Sequence, residues 1–179
     1  MDSNSIPEPI VTEAEVTAYH EAGHVVIGLF HDFALGCVCL FQDGKPRPRT
    51  RWSKVEGEEF PLSTYDIEHV TFMALGGGVS EMLAFDVLFS HPGIQESIEC
   101  DVKEIAVQLR ERKQPSEPED VIKRLDWSVP RVKLLFDQDP RLVEAMKAVA
   151  ARLFKAIEAK EECVSGKELT DLVWTFFPE

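Results

Sequence analysis

The chain has 179 residues, of which 44% are hydrophobic and 28% are charged, so it can form one sizeable core and is not of the disordered class. Its formal net charge of −13 repels phosphate groups, which argues against a nucleic-acid-binding protein and against binding to an anionic membrane. The N-terminus lacks the basic and apolar segments of a secretion signal, and the sequence contains no apolar run of membrane-spanning length. We therefore expect a cytoplasmic protein without membrane association.

The N-terminal part predicts a short leader followed by a helix. Residues 1–11 are acidic and contain prolines, which predicts a disordered leader before a single domain over residues 12–179. Thr12 precedes an acidic first turn, and we expect a helix from there to about Phe30.

β-Strand character follows this helix. The sequence CVCLF (37–41) is bounded by turn-forming residues and predicts a strand, with a weaker strand near Arg51–Val55. We interpret the basic stretch GKPRPRTRWSK (44–54) as an exposed, partly extended connection, with a binding patch as the less favoured alternative. Cys37 and Cys39 share one face of the predicted strand, and we expect reduced thiols there rather than a metal site.

The remainder of the chain is predicted to be helical. One helix begins after an N-cap at Ser63 or Thr64 and runs to about Phe85, and another covers about 97–112. The polar segment 113–120 leads into a C-terminal helical hairpin, and a last short helix closes the chain. The predicted fold class is mainly α with a small β element.

The sequence HEAGH (20–24) lies within the first predicted helix. Residues four apart occupy one face of a helix, so His20 and His24 can direct two imidazole nitrogens at a single zinc ion. Zinc lowers the pKa of a bound water molecule to about 7, and Glu21 could accept a proton from that water and pass it to a leaving amine. The alternative is a pair of core-edge histidines with an incidental acid. The spacing favours a catalytic site with Zn²⁺ as the cofactor.

A catalytic zinc site needs a third protein ligand. His31 lies about 10 Å along the helix axis from the second motif histidine, too far to share an ion, and His69 and His91 have no supporting sequence context. Asp101 lies on or beside the apolar stripe of its helix, where a carboxylate needs a partner, although a partly solvated first-turn acid is an alternative. Glu81 follows a glycine pair and could bind zinc or hold a ligating histidine in place. The residues alone leave Asp101 and Glu81 open.

Four segments resemble the peptidase domain of the FtsH-type ATP-dependent zinc metallopeptidases. TAYHEAGHVVIG (17–28) is similar to the zinc motif of that family, and HVTFMALGGGVSEMLAF (69–85) is similar to its helix with a glycine pair followed by a glutamate. ECDVKEIAVQL (99–109) resembles the segment that opens with the family's aspartate ligand, and LFKAIEAKEECVSGKEL (153–169) resembles its closing helical hairpin. The resemblance covers about residues 12–175.

This resemblance implies a mainly helical, FtsH-peptidase-like zinc peptidase domain. It implies that His20, His24 and Asp101 bind the metal and that Glu21 is the general base. It also implies that a peptide substrate pairs with a strand edge, for which residues 37–41 are the candidate.

The chain departs from the family in two respects. Neither a G-x-x-x-x-G-K-[S/T] phosphate loop nor a membrane anchor is visible in these residues, so a separate ATPase or a homo-oligomer is a possible partner. The segment IQESIEC separates Gly93 from Asp101, and an alignment without a gap would place Ser97 at the ligand position. We prefer the gapped alignment because it retains an acid and the apolar register of the helix.

Two functions of different kinds follow from these residues. The first is a zinc metalloendopeptidase that hydrolyses peptide bonds in unfolded or flexible polypeptides, independently of ATP as a lone chain. The alternative is a catalytically inactive, peptidase-like module that binds peptides or a partner protein, and the presence of Glu21 favours the enzyme. A structural zinc domain fits less well, because such sites use four protein ligands, often cysteines.

Overall fold

The computed structural model of the protein describes residues 11–52, 62 and 65–178. Within these ranges the elements are, in chain order, α1 (Glu13–Phe30), β1 (Leu35–Gln42), β2 (Lys45–Trp52), α2 (Ile67–Phe85), α3 (Pro92–Ser97), α4 (Glu99–Glu111), α5 (Pro118–Gln138), α6 (Pro140–Glu158), β3 (Cys163–Ser165) and α7 (Gly166–Trp174). The predicted fold class, mainly α with a small β element, is confirmed. None of the helices in these ranges has both the length and the apolar character needed to cross a membrane.

Helix α1 is the central element of the core. Its first turn is fixed by a capping box, in which the Thr12 side chain accepts from the Glu15 backbone N–H and the Glu15 carboxylate accepts from the Thr12 backbone N–H. Every residue from Glu21 to Leu29 is buried, because the helix packs against both α2 and α6. Polar side chains within this buried stretch must therefore find partners inside the protein.

Helices α1 and α2 meet at the distance of direct backbone contact. A Cβ added to Gly76 would lie 2.5 Å from the carbonyl oxygen of Gly23, and a Cβ added to Gly23 would lie 2.0 Å from the carbonyl oxygen of Gly76. Ser80 Oγ donates a hydrogen bond to the carbonyl oxygen of Tyr19 across the same contact. The two glycines thus bring the middle of α2 against the histidine-bearing part of α1.

The three strands form one antiparallel sheet in the order β2-β1-β3. The predicted strand at residues 37–41 is confirmed as part of β1, whose inner face carries the buried side chains of Val38 and Leu40. Because β1 is the central strand and pairs on both sides, the expectation that residues 37–41 offer a free edge to a substrate is wrong. Among the described residues, β2 and β3 are the edge strands of this sheet.

Strand β2 occupies most of the stretch that the sequence indicated to be an exposed connection. Residues 45–52 are mostly exposed and extended, as predicted, but they pair with β1, with Thr50 opposite Val38, so their interpretation as a connection is wrong. The strand was not predicted because its sequence contains alternating prolines, and proline is depleted from strands except at sheet edges. Strand β2 lies at such an edge. The weaker strand predicted near 51–55 overlaps only the last two residues of β2, and 53–55 lie outside the described residues.

The next helices differ from prediction mainly at their ends. Helix α2 begins after Asp66, whose carboxylate accepts from a backbone N–H of the first turn, and the predicted caps Ser63 and Thr64 lie outside the described residues. The helix predicted over 97–112 begins as α4 at Glu99, after the separate short helix α3.

The C-terminal part closes the core around α1. Helices α5 and α6 form the predicted hairpin and meet at Asp139, whose side chain accepts from the Arg141 backbone N–H. Strand β3 was not predicted, because three residues are too few to show a periodic pattern. The predicted last short helix is α7, and Ser165 is its N-cap.

His31 ends α1 and stacks on His69 of α2. The two ring centroids are 4.3 Å apart and the rings are inclined by 24°. Burial disfavours the imidazolium form of His31, the facing His69 adds to this effect, and together they lower the pKa of His31 to about 4. The stack therefore joins α1 and α2 most favourably when the His31 ring is neutral.

Gly76→Ala should destabilise the fold by about 1–3 kcal/mol, the usual cost of overpacking, because the new methyl group would meet the carbonyl oxygen of Gly23. Denaturant unfolding followed by circular dichroism measures this change. Gly93→Ala in α3 is the matched control, since its added Cβ would meet only the His91 ring at 3.3 Å, and we expect a change of less than about 0.5 kcal/mol. Equal stability of Gly76→Ala and wild type would contradict the backbone contact.

The His31 stack should make the protein less stable in mild acid. The pKa of His31 is lowered from 6.5 to about 4 in the folded state, so the unfolded chain takes up a proton first as the pH falls. The stabilising contribution is complete above pH 6.5 and is lost between that value and about pH 4. Across this window the melting temperature of wild type should fall more steeply than that of His31→Asn. Parallel curves in differential scanning calorimetry would refute the effect.

Candidate metal centre

Two histidines of α1 direct their rings at a common point. His20 and His24 lie one helical turn apart, and their Nε2 atoms are separated by 3.0 Å. Both rings are largely buried. Gly77 of α2 makes room for the first ring, because an added Cβ there would lie 2.7 Å from His20 Cε1.

Hydrogen bonds hold the other nitrogen of each ring. His24 Nδ1 lies 2.9 Å from the carbonyl oxygen of Met73, which can only accept, so Nδ1 carries the hydrogen. His20 Nδ1 lies 2.6 Å from Glu81 Oε1 and donates to that carboxylate. When each ring is neutral, Nε2 therefore presents a lone pair to the common point, as it does in metal-bound histidines.

Helix α4 brings a carboxylate to the same point. Asp101 Oδ2 lies 3.2 Å from His20 Nε2, and Asp101 Oδ1 lies 3.4 Å from His24 Nε2. Asp101 Oδ2 is buried and has no hydrogen-bond partner among the described residues. Two lone pairs and a carboxylate thus face one another, an arrangement that needs a positive charge between them.

The spacing of these atoms suits a small tetrahedral cation. Zinc–nitrogen and zinc–oxygen bonds of about 2.0–2.2 Å place two ligands of one tetrahedral ion about 3.3–3.6 Å apart. The contacts of 3.0, 3.2 and 3.4 Å at this point lie close to that range. His20, His24 and Asp101 therefore form a group that could hold a metal ion.

The electrostatics around His20 also favour a cation. Burial disfavours the imidazolium form, but the carboxylates of Asp101 and Glu81 outweigh burial and raise the pKa of His20 to about 10. A proton can therefore occupy the position suited to a metal ion, and metal binding would release that proton.

Glu81 and Ser97 lie behind His20 rather than at the common point. Glu81 is 2% exposed and contacts the Nδ1 side of the His20 ring, away from Nε2. Ser97 Oγ donates to Glu81 Oε1 at 2.7 Å, at the end of α3. Ser97, the ligand position in the ungapped alignment, thus contacts the Glu81 carboxylate that holds His20. Asp101 instead reaches the point on which the two histidines converge.

Glu21 lies in the same cleft as these residues. It is 4% exposed, and its Oε2 accepts a hydrogen bond of 2.7 Å from Thr50 Oγ1 of β2. The cleft has a volume of about 990 Å³, and β2 forms one of its walls. His20, Glu21 and His24 of the HEAGH motif therefore line the same cleft as Asp101.

The remaining histidines lie elsewhere. His31 and His69 stack on each other, and His91 caps α3 through its Nδ1, which accepts from the Gly93 backbone N–H. The contacts of Met73 and Thr50 with the site were not predicted from the sequence. The local sequence pattern does not indicate that the Met73 carbonyl group or the Thr50 hydroxyl group contacts another element.

No family model matches the chain. The chain is 37% identical over 89 residues to ATP-dependent zinc metalloprotease FtsH 3 of Symbiobacterium thermophilum. The matched segment makes up 49% of this chain and 14% of that relative. This partial similarity supports a family-level link between the chain and a zinc metalloprotease.

Proposed function

We propose that the protein is a zinc-dependent metallopeptidase that hydrolyses peptide bonds in unfolded or flexible polypeptides. The observation that carries the proposal is the convergence of His20, His24 and Asp101 on one point, in a cleft that Glu21 also lines. The partial similarity to a zinc metalloprotease agrees with this function.

In this proposal the metal ligands are His20, His24 and Asp101. Three protein ligands leave one coordination position open, which distinguishes catalytic zinc sites from structural ones. Glu81 acts as a positioning residue that fixes the His20 ring through Nδ1, and Ser97 in turn fixes Glu81. Partners of this kind hold the ring orientation and increase the basicity of the ligand.

Glu21 is the proposed general base. Zinc at this site would supply a Lewis acid that activates water and polarises the peptide carbonyl group. The Glu21 carboxylate then takes a proton from the attacking water and delivers it to the leaving amine nitrogen. The hydrogen bond from Thr50 fixes the orientation of this carboxylate, so that little reorganisation is needed during proton transfer.

The position of β2 at the edge of the described sheet supports an extended peptide as the substrate. The Leu40 backbone N–H donates to the Glu162 carbonyl oxygen just before β3, so the preceding residue, Cys39, directs its backbone groups toward β2. Cys39 is paired with Arg49, and by alternation the backbone groups of Thr50 face away from β1. An extended chain added at this edge would run along the cleft that contains Glu21.

The side chains of β2 suggest which peptides this edge favours. Strand β2 carries Arg47, Arg49 and Arg51, although the whole chain has a formal net charge of −13. Pro48 has no backbone N–H to offer at the free edge, which limits unselective strand pairing. We infer a preference for flexible segments that carry acidic residues.

The alternative function is an inactive module that binds peptides or a partner protein. It uses the same cleft and the same strand edge, but it requires no proton transfer by Glu21. The two functions therefore differ in turnover rather than in metal binding or peptide binding.

Glu21→Gln should keep about one zinc per chain and the wild-type fold while lowering cleavage of casein, an unfolded and acidic protein, by about 10²–10⁴-fold. The amide keeps the hydrogen bond to Thr50 within reach but cannot accept the proton. Elemental analysis measures the zinc, and release of peptides measures the cleavage. Removal of zinc with a chelator should abolish cleavage in wild type, and returning zinc should restore it.

Glu119→Gln is the matched control for this experiment, because it makes the same chemical change at an exposed position of α5 and should leave cleavage unchanged. Equal turnover by Glu21→Gln and wild type would remove Glu21 from the mechanism. Zinc and peptide binding by a wild-type protein that cleaves neither casein nor a peptide library would establish the inactive module instead.

Asp101→Asn should weaken zinc binding by more than about 100-fold, whereas Glu81→Gln should weaken it by about 10–100-fold, the range for partners that act through a ligand. Competition with a zinc chelator of known affinity measures both changes. Glu104→Gln removes a negative charge from the same helix as Asp101 and should change the affinity little. Full zinc affinity in Asp101→Asn, together with loss of zinc in Glu81→Gln, would make Glu81 the ligand.

A further inference from the structure

Three thiols converge on the outer face of the sheet. Cys37 Sγ and Cys39 Sγ on β1 are 3.6 Å apart, and Cys163 Sγ on β3 lies 2.7 Å from Cys39 Sγ. All three sulfur atoms lie within 4.8 Å of one another. None of the described cysteines forms a disulfide, and Cys163 is exposed to solvent.

The strand register places these thiols together. Cys39 is directly opposite Cys163 in the β1–β3 ladder, and Cys37 lies two residues along the same face of β1. The residues between them, Val38 and Val164, point to the opposite face and are buried in the core. Because Cys39 and Cys163 are 124 residues apart in sequence, only the paired strands bring the three sulfur atoms to one point.

We propose that Cys37, Cys39 and Cys163 form a second metal site, which binds one Cu(I) ion through three thiolates. Soft thiolate ligands select Cu(I) and zinc among biological metals. Structural zinc is almost always bound by four protein ligands, and the described residues gather only three donors at this point. Three-coordination by sulfur is a stable geometry for Cu(I), so the cluster matches this ion without a fourth residue.

The presence of a third thiol argues for a metal rather than a disulfide. A disulfide between the facing residues Cys39 and Cys163 would use two sulfur atoms and leave Cys37 without a role. Binding of Cu(I) as three thiolates displaces three protons from the three thiols, and no electron is transferred.

The charge of the resulting complex is balanced by β2. One Cu(I) and three thiolates carry a net charge of −2, and Arg51 and Arg49 lie directly opposite Cys37 and Cys39 in the β1–β2 ladder. Residues opposite each other share one face of a sheet, so both guanidinium groups belong to the face that carries the thiols.

This site is separate from the proposed zinc site. The three cysteines are on the sheet face opposite Val38, whereas Thr50, directly opposite Val38, contacts Glu21 on the inner side. The cysteines of the sheet are not among the residues that line the catalytic cleft. The inference therefore does not depend on the proposed peptidase activity.

The test is an anaerobic titration of the full, reduced chain with Cu(I) held by a competing chelator. We expect one Cu(I) per chain, and X-ray absorption at the copper edge should show three sulfur neighbours. Cys163→Ser and Cys37→Ser should each weaken binding by more than about 100-fold, beyond the 10–100-fold range of a change outside the ligand set. Circular dichroism of each variant verifies that the fold is retained, and the exposed position of Cys163 makes that variant the safer one.

Cys100→Ser is the matched control, because Cys100 is an exposed thiol on α4 away from the cluster, and this variant should bind Cu(I) as wild type does. Wild-type affinity in Cys37→Ser, a copper ion with two sulfur neighbours, or no binding by the wild-type chain would each overturn the site. Displacement of Cu(I) by an equimolar amount of zinc would overturn the choice of ion.

Discussion

The backbone contact between Gly23 and Gly76 is the constraint on which the rest of the site depends. It allows α2 to lie directly on α1, where any larger side chain would separate the two helices. The next glycine of α2, Gly77, then leaves the space that the His20 ring fills. The same approach brings the Met73 carbonyl oxygen to His24. The close packing of α2 on α1 therefore also fixes the orientation of both imidazole rings.

Because of that packing, the two Nε2 atoms and the Asp101 carboxylate meet at one point. Once both Nδ1 atoms are engaged by acceptors, the Nε2 atoms must face each other, and Asp101 of α4 adds a carboxylate with a buried oxygen that lacks a hydrogen bond within the described residues. Such a group is stable only with a positive charge at its centre. The buried polar residues thus make the core of α1 dependent on a proton or a metal ion, which ties the stability of this region to the occupancy of the site.

The two faces of the small sheet carry different groups of functional side chains. Its inner side packs on α1 and supplies Thr50 to Glu21, while its outer side collects the thiols of Cys37, Cys39 and Cys163. Hard nitrogen and oxygen donors on one side and soft sulfur donors on the other favour different metal ions. A one-residue shift in register would exchange the two faces, so the pairing of β1 with β2 and β3 preserves both arrangements.

The local features could be predicted from the sequence, because they depend on spacing within one helix or strand. The helix through HEAGH, the strand at 37–41 and the mainly α class were predictable for this reason, as was the pairing of His20 with His24 on one face. Three features could not be predicted from the sequence: which acid approaches the two histidines, which strand lies at the edge of the described sheet, and which thiols meet. These outcomes depend on contacts between segments far apart in the chain, and the packing of side chains and backbones in three dimensions selects them.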